Sequence, residues 1–275
     1  MVNAQSSMLN TAVDAALEAG REIMRIYLDP SQDFGIEKKL DNSPVTLADK
    51  AAHNCIVRHL AQTGIPILSE EGAHLPYEKR KTWHKVWVVD PLDGTKEFIK
   101  KNGEFTVNIA LVEDGSPVLG VIYLPATEML YTGIVGEGAW KQILSDSPER
   151  NQVRKSLPVE REVLPYGQAQ AEGKGTFVIV ASRSHMSPET EDYINQMRRK
   201  YGDIRLVSGG SSLKLCLVAE GTADVYPRLA PTMEWDTAAG DAIARAAGKR
   251  VVDARTGQPL TYNKPDLHNP WFIVQ

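Results

Sequence analysis

Cysteine is scarce: Cys55 and Cys216 are the only two in 275 residues. That excludes a disulfide framework and leaves no cysteine spacing that reads as a zinc site, so the expected setting is reducing and cytoplasmic. A basic surplus is missing as well. With 31 Lys and Arg against 35 Asp and Glu, the formal charge is -4, which argues against a chain built to wrap a DNA or RNA backbone. Long apolar runs are absent: none approaches the ~20 residues of a membrane span, and no basic segment leads into an apolar stretch at the start. The chain is therefore expected to lack a transmembrane segment and to be mature from Met1. What is present is a composition with 42% hydrophobic and 24% charged residues, at a length that fits one large or two modest domains.

Leu9, Val13, Ala16, Gly20, Ile23 and Tyr27 recur at three- and four-residue spacing, predicting an amphipathic helix over 7–28. A strand-like piece over 34–40 and a turn at 41–44 follow. Thr46-Leu47-Ala48-Asp49 has capping-box form and opens a second helix to about residue 62, with Leu47, Ala51, Cys55 and Leu60 expected on its core face. Strand patterns at 65–68, 86–89, 105–112, 118–124, 129–135 and 138–142, with a hairpin turn over 113–117, predict a largely antiparallel sheet carrying helices on one face. Residues 145–175 are polar and rich in Pro, Gly, Glu and Gln, as in a surface connection. Beyond them strands are expected at 177–181, 204–207 and 223–226. Helices are expected from Ser187-Pro188-Glu189, over 212–220 and over 237–247. The expected fold is α+β over residues 1–150 and α/β over 151–275.

The densest chemistry is Asp90-Pro91-Leu92-Asp93-Gly94-Thr95, directly after an apolar strand ending at Val89. Two carboxylates at ~4 Å repel by roughly 1 kcal/mol in water and ~4 kcal/mol at an effective dielectric of 20. A half-buried pair therefore calls for a hard cation such as Mg²⁺, and the N–H groups of Gly94 and Thr95 suit a phosphate oxygen. Asp-Gly is also a common turn dipeptide, so this string alone leaves both readings open. Ser69-Glu70-Glu71-Gly72 puts another acid at a strand end. Asp236 in Trp235-Asp236-Thr237 opens a helix, where an N-cap would explain it, and the capping box explains Asp49. It is the recurrence of acids at element ends that points to one metal cleft. His53 and His59 have no partner at metal spacing and read as helix surface or packing. Cys55 and Cys216 read as core, and Lys38 and Lys39 as a solvated edge.

Together, Glu70-Glu71, the string from Asp90 to Thr95, and Trp235-Asp236-Thr237-Ala238-Ala239-Gly240 resemble the signature of the inositol monophosphatase superfamily, whose members are Mg²⁺-dependent, Li⁺-sensitive phosphatases. Asp93 to Ile99, Asn102 to Ala110, Gly210-Ser211-Ser212-Leu213-Lys214 and Tyr226-Pro227-Arg228 are similar, more narrowly, to its bacterial 3'(2'),5'-bisphosphate nucleotidases of the CysQ type. The resemblance runs in order along essentially the whole chain, and it implies a layered α-β-α-β-α sandwich. It implies that Glu70, Asp90, the Leu92 carbonyl, Asp93 and Asp236 hold two Mg²⁺ ions, with room for a third arriving with substrate. Asp49, Thr95 and Glu70 become catalytic residues, Asp49 and Thr95 orienting the attacking water. Glu70, Leu92, Asp93, Gly94, Thr95, Ser211, Lys214 and Asp236 would contact substrate, and Arg183 and His185 would reach the second phosphate or the base. Residues 1–150 would form the metal-binding half and 151–275 would complete the nucleotide pocket.

The implied reaction removes the 3'-phosphate of adenosine 3',5'-bisphosphate, giving AMP and phosphate, and extends to the sulfated analogue in sulfate assimilation. The expected partner is this small nucleotide and no nucleic-acid polymer, for a monomer or weak homodimer in the cytoplasm, with contact at the inner face of the membrane left open. An inositol-phosphate or fructose-1,6-bisphosphate phosphatase would share the metal residues. A haloacid-dehalogenase motif would need its second acid two residues after the first, whereas here the spacing is three. A sensor without turnover is disfavoured because every acid is kept along with Thr95.

Overall fold

Alternation along the central strands decides how the layers stack in the computed structural model, which describes residues 4–31, 34–38, 44–72, 75–144, 161–165, 176–181 and 186–275. A seven-stranded sheet contains β3 (Ile67–Ser69), β4 (Lys85–Asp93), β5 (Thr106–Glu113), β6 (Ser116–Leu124), β7 (Met129–Ile134), β8 (Gly138–Ile143) and β9 (Glu162–Leu164), in that spatial order. Only β3 and β4 run parallel; the other neighbours are antiparallel. Successive side chains point to opposite faces. Trp87, Val89, Ile109, Leu111, Val121 and Tyr123 enter one core, while Val86, Val88, Ala110, Val112, Ile122 and Leu124 enter another. Both faces are covered, which is why β4 to β6 read as nearly unbroken apolar runs.

The first core is closed by α1 (Ala4–Tyr27) and α2 (Leu47–Leu60), linked through the two-residue strands Glu37–Lys38 (β1) and Pro44–Val45 (β2). α1 buries Ala12, Ala15, Ala16, Ala19 and Gly20 along one stripe, so little side-chain bulk separates its backbone from its neighbours. The capping box of α2 forms: the Thr46 N–H donates to Asp49 Oδ2 at 2.7 Å, and the Ala48 N–H to Thr46 Oγ1 at 3.2 Å. The core face of α2 differs from expectation. It is Ala48, Ala52, Cys55, Ile56 and Leu60, whereas Leu47 is 48% exposed. Leu47 is the first helical residue, and the buried stripe begins at Ala48 and Asp49, while Cys55 and Leu60 are buried as expected.

The other sheet face receives α6 and α7, once the remaining elements are placed. After α3 (Tyr77–Arg80) and α4 (Thr95–Ile99) in the first part of the chain, the later elements are β10 (Phe177–Ala181), α5 (Pro188–Tyr201), β11 (Ile204–Ser208), α6 (Leu213–Glu220), β12 (Tyr226–Arg228), α7 (Ala238–Ala246), β13 (Val251–Asp253) and β14 (Phe272–Val274). α6 and α7 are sandwiched between the large sheet and the smaller ladders, β10 with β11 and β12-β14-β13. α5, capped by the Ser187 hydroxyl with Pro188 at its start, packs on the outside against β11 and β12. The layers are therefore α-β-α-β-α.

Three details depart from the sequence reading. The stretch 145–175 contains a strand, β9, which pairs with β8; residues 145–160 and 166–175 lie outside the described residues. The strand expected over 223–226 is shifted, since Val225 makes only an isolated bridge to Ile179 and β12 begins at Tyr226. β13 and β14, three residues each, are too short to show periodicity. Among the described residues, no helix is long and apolar enough to cross a membrane.

One glycine fixes the distance between layers. A Cβ on Gly120 of β6 would lie 2.2 Å from the Ala239 carbonyl oxygen at the start of α7. Gly120→Ala must push α7 off the sheet, so it is expected to cost at least ~1–3 kcal/mol, read as a lower denaturant midpoint. An unchanged midpoint would contradict this close approach.

Candidate active site

A β-bulge builds the acidic centre. β4 pairs Asp90 with Asn108 and resumes pairing at Asp93 with Thr106, so three steps on β4 oppose two on β5. Pro91 has no N–H for a ladder and is accommodated at such a bulge. In a regular strand, residues three apart point to opposite faces; the extra residue restores Asp90 and Asp93 to one side. Carboxylate oxygens of Asp90, Asp93 and Asp236 all lie within 4.8 Å of one another.

Each acid is held by local chemistry. The Leu92 N–H donates to Asp90 Oδ1 at 3.1 Å, folding the bulge back on the carboxylate. The Ser212 hydroxyl lies 2.8 Å from Asp93 Oδ2 and accepts from Asn108 Nδ2 at 2.8 Å. Thr106 Oγ1 in turn donates to Asn108 Oδ1 at 2.9 Å, which fixes the amide so that its NH₂ faces Ser212. Asp236 ends a 3-10 turn, Glu234–Asp236, and its Oδ2 accepts the Met233 N–H at 2.8 Å. It does not cap the following helix, as the sequence allowed: Thr237 occupies that position without a side-chain bond. Glu70 follows β3, donates its N–H to the Val89 carbonyl at 3.1 Å, and its side chain hydrogen-bonds Asp90.

Burial and crowding make Asp90 and Asp236 reluctant to ionise. Asp90 is pushed well above the usual carboxylate range by burial and then by the charges of Glu70, Asp93 and Asp236. Asp236 is raised to about 8 by burial and by Asp93, against the opposing Met233 N–H. Hard, all-oxygen donors converging within 4.8 Å, with Asp90 and Asp236 destabilised as anions by burial and by their neighbours' charge, fit a divalent cation such as Mg²⁺.

Asp49 and Thr95 meet beside this centre. The Thr95 hydroxyl donates to Asp49 Oδ1 at 3.0 Å while Asp49 Oδ2 serves the capping box, so one carboxylate does both jobs. Burial raises the Asp49 pKa, although the Thr46 and Thr95 bonds oppose it. Gly94 sits at φ +95°, and a Cβ there would lie 2.2 Å from Ser211 Oγ. Ser211 in turn is held at φ +45°, its hydroxyl 2.8 Å from the carbonyls of Asp93 and Glu104, latching the 209–211 loop onto the turn that carries Asp93 and Gly94.

The centre opens into a cleft of about 530 Å³ whose wall includes Asp93, Gly94, Asp236, Ser211, Lys214 and Arg228. Lys214, almost fully buried, donates to the Gly209 and Ser211 carbonyls at 3.2 and 2.5 Å, and burial lowers its pKa to about 8. Arg228 presents a buried Nε with no hydrogen-bond partner among the described residues. Arg183 and His185 lie outside the described residues. The structure thus brings together Glu70, Asp90, Asp93, Asp236, Asp49 and Thr95, with Ser211 and Lys214 at the cleft wall. Sequence reading missed Asn108 and Ser212 as supports of Asp93, and Arg228 as a cleft cation; all three fall inside quoted strings, but only their contacts give them roles.

The model of the inositol monophosphatase family matches residues 4–270. The 3'(2'),5'-bisphosphate nucleotidase CysQ of Escherichia coli strain K12 is 45% identical over 270 residues, covering 97% of this chain and 99% of the relative. The crystal structure of CysQ from Bacteroides thetaiotaomicron, a bacterial member of the inositol monophosphatase family, is 53% identical with a TM-score of 0.85, covering 98% and 97% of the two chains. The extragenic suppressor protein suhB from Bartonella henselae is similar at 27% identity and TM-score 0.71, covering 98% and 93%.

A pH test follows from Asp236. Its folded pKa of about 8 stands above its ordinary value of 3.8, so the cation-free folded chain binds more protons than the unfolded chain between those limits. Stability is then greatest at low pH within this window and falls as pH rises towards 8. In chelator, wild type should lose more stability between pH 5 and 8 than Asp236→Asn does, measured by urea unfolding. Equal losses would contradict the crowding of charge at Asp236.

Proposed function

Because the chain belongs to the inositol monophosphatase family, we propose that it is a Mg²⁺-dependent 3'(2'),5'-bisphosphate nucleotidase. It removes the 3'-phosphate of adenosine 3',5'-bisphosphate, yielding AMP and inorganic phosphate, and acts also on the sulfated analogue. The relatives named CysQ support this reading. The observation that carries it is that one cleft joins the Asp93–Asp236 carboxylates to the cations Lys214 and Arg228. A site for a single phosphate needs the first group; a bisphosphate also needs the second, and the unpartnered Arg228 Nε suits a second anion. The volume falls in the range of small-molecule pockets.

Glu70, Asp90, the Leu92 carbonyl, Asp93 and Asp236 would hold two Mg²⁺ ions, with a third joining alongside substrate. Mg²⁺ so bound supplies Lewis-acid polarisation of the phosphoryl group and acidifies water. The chain's own residues do the rest. Asp49 accepts the Thr95 hydroxyl proton, which leaves the Thr95 oxygen lone pairs to accept a proton from the attacking water and aim it at phosphorus. Burial makes Asp49 the better proton acceptor behind that hydroxyl. Ser212 and Asn108 keep the Asp93 carboxylate from rotating, and preorganisation of this kind removes reorganisation from the barrier. The Gly94 and Thr95 backbone orients the phosphate undergoing transfer, while Ser211 and Lys214 shape the nucleotide side. Residues 1–150 would supply most of the metal machinery, and 151–275 would add Asp236 and close the pocket. The setting that fits this chemistry is cytoplasmic nucleotide recycling in sulfate assimilation, with the enzyme a monomer or weak homodimer.

Phosphate release from adenosine 3',5'-bisphosphate, inositol monophosphate and fructose 1,6-bisphosphate, with and without Mg²⁺, tests the reading. Turnover should be Mg²⁺-dependent and favour the nucleotide; preference for inositol monophosphate would replace it with the sugar-phosphatase alternative. Thr95→Ala should lower kcat by about 10²–10⁴-fold with KM little changed. A variant with full kcat would remove Thr95 from the proton path.

A further inference from the structure

We propose a second metal site, of zinc class, formed by Glu18, Cys55 and His59 between α1 and α2, independent of the acidic cleft. Cys55 and His59 are four apart on α2 and so share a face, and Glu18 meets them from α1. One donor atom from each lies within 4.8 Å of the others, and His59 Nε2 is 2.5 Å from Glu18 Oε2. The cysteine and histidine on α2 are half a site; the third donor lies 41 residues before His59, where no local spacing reveals it.

The donor set selects the ion. Thiolate, imidazole and carboxylate suit a borderline-soft cation and leave a fourth tetrahedral position for water, whereas Mg²⁺ takes oxygen donors. Within the donor set Zn²⁺ is matched by one thiolate and one carboxylate, with the imidazole neutral, and Arg58 leaves one positive charge beside it. Arg58 does not obstruct this. It pairs with Glu18 Oε1, leaving Oε2 for the ion, and so acts as the outer partner that orients a ligating carboxylate. It also lies 3.8 Å from Cys55 Sγ, where its charge favours thiolate. Burial lifts the Cys55 thiol to about 11, so binding displaces the thiol proton to solvent as the Zn–S bond forms. The side chains of His59 and Glu18 are 23% and 37% exposed, which gives the ion a way in. A surface ion pair of Glu18 with Arg58 and His59 would account for those three residues at little energetic value. It gives no reason for Cys55 to share the Glu18 carboxylate with His59.

The test is titration of the full chain with Co²⁺ in saturating Mg²⁺, which keeps the oxygen-only cleft occupied. A thiolate-to-cobalt charge-transfer band should grow to one equivalent and disappear on adding Zn²⁺. Cys55→Ser should abolish the band, and Cys216→Ser should keep it. Glu18→Gln and His59→Gln, at partly exposed positions that tolerate change, should each weaken Co²⁺ binding by more than the ~10–100-fold attached to loss of an outer partner. No band in wild type, a band surviving Cys55→Ser, or unchanged affinity in both Glu18→Gln and His59→Gln would overturn the site. None of these readouts depends on phosphatase activity.

Discussion

Like-charge repulsion at one point governs this molecule. Asp90, Asp93 and Asp236 converge within 4.8 Å, a distance at which each ionised pair repels by ~3–4 kcal/mol at an effective dielectric of 20. Without a cation that cost is avoided only by protonation, and the pKa values of Asp90 and Asp236 are accordingly raised, first by burial and then by their neighbours' charges. The rest of the structure holds these groups together against it. The sheet supplies Asp90 and Asp93 through a bulge, and the turn before α7 supplies Asp236. Gly120 allows α7 to approach β6 closely enough for both to reach one point.

The supporting hydrogen bonds explain why two distant parts of the chain are needed. Asn108 reaches Ser212 across 104 positions of sequence, and Ser211 latches onto the Asp93 and Glu104 carbonyls. The loop at 209–211 is thereby tied to the turn that presents Gly94 and Thr95. The cleft wall and the acidic turn are then parts of one hydrogen-bonded assembly, and a displacement of either disturbs the other.

Much of the site was legible because its signals are local. Asp90, Asp93, Gly94 and Thr95 sit in six residues, and Pro91 marks where the strand must bulge. Glu70 and Asp236 were legible as acids at element ends. Asp49 shows how a local explanation can be true and incomplete: it caps α2 through one oxygen and holds Thr95 through the other. The layered fold was legible from the family resemblance and from the continuous apolar strands. What was hidden depends on long-range contact or on single-residue phase. The first half of the α2 face came out one residue off, at Ala48 and Ala52 instead of Leu47 and Ala51, because all four are apolar, whereas Cys55 and Leu60 are buried as expected. Asn108 and Ser212 look like ordinary polar residues until they meet, and three-residue strands such as β13 and β14 carry no period to detect. His59 had no partner in sequence, yet Glu18 stands against it in space.

The charge balance also acquires a location. The net charge is -4, and three carboxylates meet at the cleft with Glu70 bonded to Asp90 behind them; on the proposed reading two Mg²⁺ ions would cancel four negative charges there and let an acidic protein take an anionic nucleotide. The most direct measurement of that claim is a crystal structure grown with Mn²⁺ in place of Mg²⁺, with anomalous scattering recorded at the manganese edge. The account predicts anomalous peaks coordinated by the carboxylates of Asp90, Asp93 and Asp236. A centre with no peak at millimolar Mn²⁺ would contradict it.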